Sequence, residues 1–421
     1  MQSLEMSSSL DRTAALDMFA RYVNAPYVGF LKRIGLELNI VRAQGASLFD
    51  RDGRQFIDCL SGYGNLNVGH NHPKIIEAVV SEMTSPRTFN WPFPSDAHAR
   101  LVERLAELTP GELECSLIVN SGSEAVDSAL KLVRLATGKA HVISLRGAWH
   151  GFTLGAMSIS DPAMARDFTP LLPEVTHVEF GDASAVERAI GDRTGAVIVE
   201  PIQAESGAVV PPAGYLADLE QICRRKQVVL IFDEIKTGIA KTGRLWACEH
   251  DHAVPDIMLL GKSLGGGLMP IGTMTARREL WGKFGFSFAM SSSSGAGNAP
   301  ACAAGVATLD VVESEELCQR AWTQGEKLRE AMMGLVRDFP GVVKSVSGRG
   351  LLLALHAHTT KQALAIITHC IGKGVVLMAA FLDRTRILIE PPLCITDAQL
   401  EQVVVALHDA VGHAGSPRRA D

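Results

Sequence analysis

Short apolar runs alternate with amphipathic helical stretches through the middle of the chain. From about residue 115 onward, each apolar run is bounded by polar or glycine-rich segments, which is the pattern of buried strands. Near-continuous apolar strands that alternate with helices predict an α/β fold whose sheet is largely parallel and covered on both faces. Strands are predicted at 116–120, 141–145, 195–200, 227–232, 256–260 and 271–275, and helices near 124–137, 184–190, 213–226 and 297–314.

The two ends of the chain show a different pattern. Near the N-terminus, an Asp52–Gly53 turn between two alternating runs predicts a hairpin, and Pro73 opens a helix. After Glu315, a long amphipathic helix is followed by shorter strands and by a last helix from Asp397. This mixture predicts a smaller α+β lobe. Its other expected elements include a first helix over about 17–28 and a single strand over 374–378.

Composition narrows the class of protein. The 421 residues are 47% hydrophobic and 20% charged, which is ordinary for a soluble globular protein. The net charge of −6 and the lack of a long basic run argue against a nucleic-acid partner. The apolar runs are too short to span a bilayer, and no secretory signal is visible, so we expect no membrane association. The eight cysteines are scattered without metal-ligand or redox spacing, as in reduced cytoplasmic proteins, and no metal site is predicted.

Lys262 directly follows the buried strand predicted at 256–260. A lysine at the end of a buried strand is unfavourable unless it is paired, neutral or used covalently. The glycines at 265–267 allow the backbone to turn sharply and to approach a bound group. These features indicate an amine used in a Schiff base, although a lysine that reaches to solvent before a glycine-rich turn also fits. A phosphate-binding P-loop is excluded because Asp256 stands where that motif requires glycine.

Other polar residues also fall at predicted strand ends. Ser121, Gly122 and Ser123 lie between a strand and a helix, so the helix start either binds a phosphate or is merely capped by a serine. Trp149 follows the strand at 141–145 and would either stack on a flat ligand or pack in the core. Asp233 ends the most apolar strand, where it would pair with a protonated pyridine nitrogen or, with Glu234, form a solvated acidic pair. Together with Lys262, these are the parts of a pyridoxal phosphate (PLP) site.

Five motifs occur in the order found in one enzyme family. They are Asn120–Ala125, Trp149–Gly151, Glu200–Glu205, Asp233–Gly238 and Pro255–Lys262. With them, residues 20–412 strongly resemble the class III (ω-amino acid, ornithine and putrescine type) aminotransferases of PLP fold type I. The resemblance implies an α/β large domain with a mostly parallel seven-stranded sheet and a small α+β domain built from both termini. The domains expected are 1–75 (N-terminal part of the small domain), 76–318 (large, PLP-binding) and 319–421 (C-terminal part of the small domain).

The resemblance also implies roles for single residues around the cofactor. Lys262 would form the Schiff base and Asp233 would pair with the pyridine nitrogen. The family more often has Tyr or Phe at the position of Trp149, and each of these aromatic residues can stack on the ring. Further cofactor contacts are implied for His150 beside Trp149, Ile235 on the opposite ring face, Gln203 near the phenolic oxygen, and Gly122 and Ser123 at the phosphate. Ser294 matches a residue that reaches the phosphate from the neighbouring subunit, which implies a homodimer with shared active sites.

Two departures from the family pattern fall at the predicted substrate end. Lys236 replaces a glutamine, and Leu388 replaces the arginine that grips a substrate carboxylate in many members. Strand alternation puts Arg386 on the same face as Leu388, so Arg386 is a candidate replacement. Glu205, which pairs with that arginine in relatives, is retained, and Tyr63 is also predicted to contact substrate.

The resemblance therefore predicts a ping-pong transamination between an amine donor and a carbonyl acceptor. One substrate is expected to lack an α-carboxylate, as a diamine, an ω-amine or a long-chain biosynthetic carbonyl compound would. A decarboxylating transaminase and an aminomutase on the same scaffold remain alternatives.

Overall fold

The computed structural model describes residues 12–85, 93–282 and 293–415. Its strands are β1 (Ile40–Gln44), β2 (Ser47–Asp50), β3 (Gln55–Asp58), β4 (Leu113–Val119), β5 (His141–Leu145), β6 (Val175–Val178), β7 (Thr194–Val199), β8 (Val229–Asp233), β9 (Ile257–Leu260), β10 (Gly272–Arg277), β11 (Val343–Arg349), β12 (Leu352–Ala357), β13 (Val375–Val376), β14 (Met378–Ala379) and β15 (Arg386–Ile389). The longer helices are Arg12–Phe19, Ala25–Ile34, Pro73–Met83, Asp96–Leu108, Gly122–Thr137, Tyr215–Lys226, Ala299–Ser314, Leu317–Asp338, Thr360–Gly372 and Asp397–Gly415. Shorter α-helices are Ser61–Gly64, Leu154–Ile159, Pro162–Ala165, Ala183–Ala189 and Arg278–Trp281, 3₁₀ turns lie at Arg166–Phe168, Ala247–Asp251 and Lys262–Gly265, and a π-helical turn lies at Ala20–Asn24.

The largest sheet has seven strands in the order β4-β10-β9-β8-β7-β5-β6. The pairs from β9 through β6 are parallel, and β10 runs antiparallel to both of its neighbours. In β7, Ala196 and Ile198 pack in one apolar cluster with the helix Gly122–Thr137, whereas Val197 and Val199 belong to the cluster on the other face. The sheet is thus buried on both faces, which is why its strands read as nearly uninterrupted apolar runs. The predicted fold class is confirmed.

Two four-stranded sheets form the smaller part of the fold. The first has the order β11-β12-β15-β14 and is antiparallel throughout. The second has the order β1-β2-β3-β13, and its last strand pairs in parallel with β3. Because β13 comes from near the C-terminus and β3 from near the N-terminus, both ends of the chain contribute to this part. The exact domain limits stay a prediction.

Three local elements differ from the sequence prediction. The single strand expected at 374–378 is split into β13 and β14, which belong to different sheets. The first helix is interrupted, because Asn24 leaves helical geometry and its side chain accepts a hydrogen bond from the N–H of Tyr27 at 3.0 Å, which starts a new helix. Strand β6 was not predicted, since only four half-buried residues form it at the sheet edge.

Among the residues that the structure describes, no helix is long and apolar enough to cross a membrane.

Candidate active site

Three neighbouring parallel strands bring charged residues to one edge of the large sheet. Glu200 directly follows β7, Asp233 ends β8, and Lys262 follows β9 after a single glycine. Val199 pairs with Phe232 and Asp233 pairs with Leu259, so the three strand ends lie side by side. Ligands of open α/β sheets bind at the carboxyl ends of the strands. The candidate active site lies at this edge.

Asp233 and His150 form a buried pair at the base of the site. Nδ1 of His150 lies 2.7 Å from Oδ2 of Asp233, and both side chains are almost fully buried. The other carboxylate oxygen, Oδ1, accepts a hydrogen bond from the N–H of Ile235 at 3.1 Å, and the N–H of His150 donates to the hydroxyl of Ser160 at 2.9 Å. In the described part of the chain, Nε2 of His150 has no hydrogen-bond partner. The carboxylate is therefore fixed in position, while one polar atom beside it remains available to a ligand or water.

Glu200 is a buried carboxyl group to which we assigned no role from the sequence. Its Oε1 accepts a hydrogen bond from the N–H of Trp149 at 2.8 Å. Burial raises the pKa of Glu200 to about 7, and the charge of Asp233 acts in the same direction. Its position after an apolar strand is the same signal that identified Asp233, so this residue could have been found. Glu200 holds the backbone of Trp149 at the rim of the site.

Lys262 starts a 3₁₀ turn with a positive φ of 43°. The residue is half-buried, and it lines a cavity of about 130 Å³. Burial lowers the pKa of Lys262, and the like charge of Lys236 lowers it further, although Glu205, Asp233 and Glu200 oppose that effect. A lowered pKa leaves more of the amine neutral and nucleophilic near neutral pH.

The start of the helix Gly122–Thr137 also lines the cavity. Ser121 caps it, because its hydroxyl accepts a hydrogen bond from the N–H of Glu124 at 3.2 Å. A Cβ atom on Gly122 would lie 2.8 Å from Cδ1 of Ile235, so a larger residue at this first helical position would force Ile235 to shift. The N–H groups of a first helical turn have no intrahelical acceptor and attract anions. Ser123 adds a hydroxyl, which accepts a hydrogen bond from the N–H of Phe152 at 3.0 Å.

The cavity gathers most of the side chains that the sequence analysis placed around a cofactor. Trp149 lies at its rim with its ring edge-on to that of Phe152, at a centroid distance of 5.0 Å and an angle of 78°. The complete lining is Ser121, Gly122, Ser123, Trp149, His150, Gly151, Phe152, Glu200, Glu205, Asp233, Ile235, Lys236 and Lys262. An amine, an anion-binding helix start, a buried carboxylate and an aromatic ring thus surround one small space.

A family model described as "Aminotransferase class-III" matches residues 32–411. The chain belongs to this family. The enzyme is a transaminase whose cofactor is PLP.

Solved structures give the same assignment. Ornithine aminotransferase from Toxoplasma gondii ME49 is 29% identical, with a TM-score of 0.89 and coverage of 96% of each chain. An (S)-enantioselective ω-transaminase from Thermomicrobium roseum is 25% identical, with a TM-score of 0.89 over 97% of this chain and 100% of that one. An amine transaminase from an uncultivated Pseudomonas species is 27% identical, with a TM-score of 0.83 over 90% of this chain and 95% of that one.

The cavity of this aminotransferase fits PLP. The N–H groups at the start of the helix Gly122–Thr137 line the cavity and suit a phosphate, and the buried carboxylate of Asp233 suits a protonated ring nitrogen. Lys262 supplies an amine in the same cavity.

Two predicted cofactor residues lie outside the cavity lining. The side-chain amide of Gln203 donates to the carbonyl of Arg146 at 2.9 Å, and Gln203 is buried behind the rim. Ser294 is exposed, and its carbonyl accepts a hydrogen bond from the side-chain amide of Asn120 at 3.1 Å. Their contacts with PLP stay predictions.

The predicted substrate residues are divided between different environments. Glu205 lines the cavity, whereas Tyr63 lines a neighbouring apolar cavity. Leu388 is fully buried in β15, in an apolar cluster with Ile202 and Ala204 among its members. Nε of Arg386 donates to Oδ2 of Asp383 at 2.8 Å, so its guanidinium already has a carboxylate partner.

Lys236 forms a buried ionic cluster with two carboxylates. Its Nζ donates to Oε1 of Glu205 at 2.7 Å and lies 3.2 Å from Oε1 of Glu390. Burial alone would lower the pKa of Lys236, but the charges of Glu390 and Glu205 hold it above its ordinary value. Burial alone would raise the pKa of Glu205, but the ammonium groups of Lys236 and Lys262 hold it below its ordinary value. The sequence did not reveal this cluster, because Glu390 is far from Lys236 along the chain.

A Lys236→Gln substitution is expected to raise the pKa of Lys262. It removes a like charge and leaves the carboxylate of Glu205 unpaired, and both changes favour the protonated form of Lys262. Only a neutral amine adds to the aldehyde of PLP. The pH at which the rate of PLP uptake by cofactor-free protein increases should therefore be higher in the variant than in the wild type. Visible absorbance over a pH series measures this rate. Lys226→Gln, on the surface, is the matched control, and equal profiles for all three proteins would contradict the coupling.

Proposed function

We propose that Lys262 is the covalent and proton-transferring residue of this aminotransferase. The observation that carries the proposal is the placement of its amine, with a lowered pKa, in the same small cavity as the buried carboxylate of Asp233. The amine of Lys262 would hold PLP covalently. Once a substrate amine takes its place, the freed amine of Lys262 would move a proton at the substrate carbon.

Asp233 and His150 support this chemistry from the same cavity. When bound, PLP acts as an electron sink for the carbon that carries the substrate amine. A carboxylate next to the ring nitrogen stabilises the protonated and more electron-withdrawing ring. The contact of 2.7 Å with His150 keeps the carboxylate of Asp233 oriented. Trp149 and Ile235 would enclose the ring, and Gly122 and Ser123 would bind the phosphate.

Within the described residues, neither departure from the family pattern offers a free cation to an α-carboxylate. Leu388 contributes an apolar side chain to a buried cluster, and Lys236 is already paired with Glu205 and Glu390. We therefore propose that one substrate is a diamine, an ω-amine or a carbonyl intermediate without an α-carboxylate at that point. An amine transaminase and an ω-transaminase among the similar structures agree with this class.

A homodimer with shared active sites is part of the proposal. Ser294 is exposed in the single chain, although the family pattern assigns its position to the phosphate of the neighbouring subunit. Light scattering that shows a monomer at assay concentration would exclude this arrangement.

All eight cysteines are free thiols, which suits a cytoplasmic location, and cell fractionation tests that location.

The function is tested in two half-reactions followed by visible absorbance. A primary amine without acceptor should convert the PLP-loaded enzyme to its amino form and release one equivalent of carbonyl product. A carbonyl acceptor without amine should then restore the starting spectrum. In Lys262→Ala the rate of the first half-reaction should be several orders of magnitude lower than in the wild type, because the proton-transfer group is absent. Carbon dioxide release, or repeated turnover of one substrate beyond one equivalent per chain without an acceptor, would instead favour a decarboxylating transaminase or an aminomutase.

Substrate selectivity should change when the usual family residues are restored at the two departures. In Lys236→Gln/Leu388→Arg, the new guanidinium can pair with Glu205 and bind an α-carboxylate, so KM for 2-oxoglutarate should fall about tenfold or more. Arg386→Ala is the control, and its KM for 2-oxo acids should stay at the wild-type value because Asp383 already binds that guanidinium. A folded, PLP-binding double variant with unchanged KM would contradict the proposal, as would a raised KM in Arg386→Ala.

A further inference from the structure

Lys262 has a backbone conformation that residues other than glycine rarely adopt. Its φ of 43° lies in the left-handed region, at the first residue of the 3₁₀ turn Lys262–Gly265. A residue in this region persists only where the surrounding contacts hold it there. In the proposed function, the amine at the end of this side chain must reach the substrate carbon with little positional error. The contacts that hold this turn therefore bear on catalysis.

Ser263, the next residue, connects this turn to a loop from the N-terminal part of the chain. Its side chain is almost completely buried, since only 3% of the residue is exposed. The hydroxyl donates a hydrogen bond to the carbonyl of Gly64 at 2.8 Å and accepts one from the N–H of Asn67 at 3.2 Å. Gly64 and Asn67 are buried as well, so loss of the hydroxyl would take a partner from two backbone groups that water cannot easily reach.

The loop to which this hydroxyl binds has an unusual conformation of its own. The four successive residues at 61–64 have φ values of 49°, 57°, 59° and 80°. The hydroxyl of Ser61 donates to the carbonyl of Glu390 at 2.6 Å, and the side-chain amide of Asn67 donates to the carbonyl of Ile239 at 2.7 Å. The loop is thus anchored to two other segments, which makes it a fixed support for the turn that carries the lysine.

Two glycines show how closely the loop packs on its neighbours. A Cβ atom on Gly267 would lie 2.2 Å from Cδ2 of Leu66, and one on Gly64 would lie 3.2 Å from Cγ of Lys236. The loop therefore contacts both the glycine-rich segment after Lys262 and the aliphatic stem of Lys236. The hydrogen bonds of the serine hydroxyl form within this close-packed contact.

We propose that Ser263 is a positioning residue, whose hydroxyl fixes the backbone of Lys262 against the loop at residues 61–67 and so places the amine for proton transfer. This inference rests on the proposed function, because it takes Lys262 as the group that moves the proton. Ser263 itself does not line the cofactor cavity. Its effect on the reaction therefore passes through Lys262.

The first test is the half-reaction in which a primary amine converts the PLP-loaded enzyme to its amino form. In Ser263→Ala its rate constant should be about ten- to a hundredfold lower, because a displaced amine transfers the proton less readily. The rate ratio between amines with hydrogen and with deuterium at the reacting carbon should be at least as large as in the wild type. Stopped-flow absorbance measures both in a single turnover, where a smaller folded fraction lowers the amplitude but not the rate constant. An unchanged rate constant, or a lower one with a reduced isotope ratio, would overturn the inference.

Thr109 supplies a matched control for the loss of a buried hydroxyl. Its hydroxyl donates to the carbonyls of Leu105 at 2.7 Å and Leu113 at 3.0 Å, outside the cavity lining. Thr109→Val should lower Tm but keep the wild-type rate constant and isotope ratio. Ser263→Cys keeps a weaker donor of similar size, so its rate constant should lie between those of Ser263→Ala and the wild type. It also replaces Ser263→Ala if that variant does not fold, and a wild-type rate constant in Ser263→Cys would then overturn the inference.

Uptake of PLP by cofactor-free protein gives a readout without turnover. The same amine adds to the aldehyde of PLP, so uptake by Ser263→Ala should be about tenfold slower, whereas uptake by Thr109→Val should equal that of the wild type. Equal uptake in all three proteins would contradict the positioning role. A wild-type half-reaction rate in Lys262→Ala would refute the proposed function itself. Loss of that rate in Lys262→Ala, with wild-type behaviour of Ser263→Ala, would refute only the role of Ser263.

Discussion

The burial of charged groups at the ends of β7, β8 and β9 constrains the whole site. A charged side chain removed from water is destabilising unless it is paired, hydrogen-bonded or neutral. Asp233 meets this requirement through His150 and the N–H of Ile235, and Glu200 does so through the N–H of Trp149 and a raised pKa. His150 and Trp149 come from the loop after β5, so satisfying these charges also fixes that wall of the cavity.

Three lysines near the site have different electrostatic environments and therefore differ in how readily they act as nucleophiles. Lys236 is held protonated by Glu205 and Glu390, which makes it a poor nucleophile. Lys241 is fully buried and donates to the carbonyls of Glu390 and Pro391, and burial lowers its pKa to about 8. Lys262 combines a lowered pKa with access to the cavity. The geometry thus distinguishes Lys262 from Lys236, the other lysine that lines the cavity.

The sequence predicted the parts of the fold and site that depend on local patterns. Apolar runs identified six of the seven strands of the large sheet, and the positions of Asp233 and Lys262 at strand ends pointed to the active-site edge. The missing parts depend on contacts between distant segments. The pairing of Lys236 with Glu390, the addition of β13 to the N-terminal sheet and the apolar cavity between the helices Ala25–Ile34 and Thr360–Gly372 are of this kind. The alternation of side chains along a strand put Arg386 on the same face as Leu388. It could not show that Asp383 binds the guanidinium of Arg386.

The central claim is that Lys262 is the residue that binds the cofactor covalently. Borohydride reduction of the PLP-loaded enzyme makes the bond between cofactor and lysine permanent, and peptide mapping by mass spectrometry then locates it. We predict one modified site per chain, at Lys262. Modification at Lys236, or no specific modification of a protein saturated with PLP, would contradict the account.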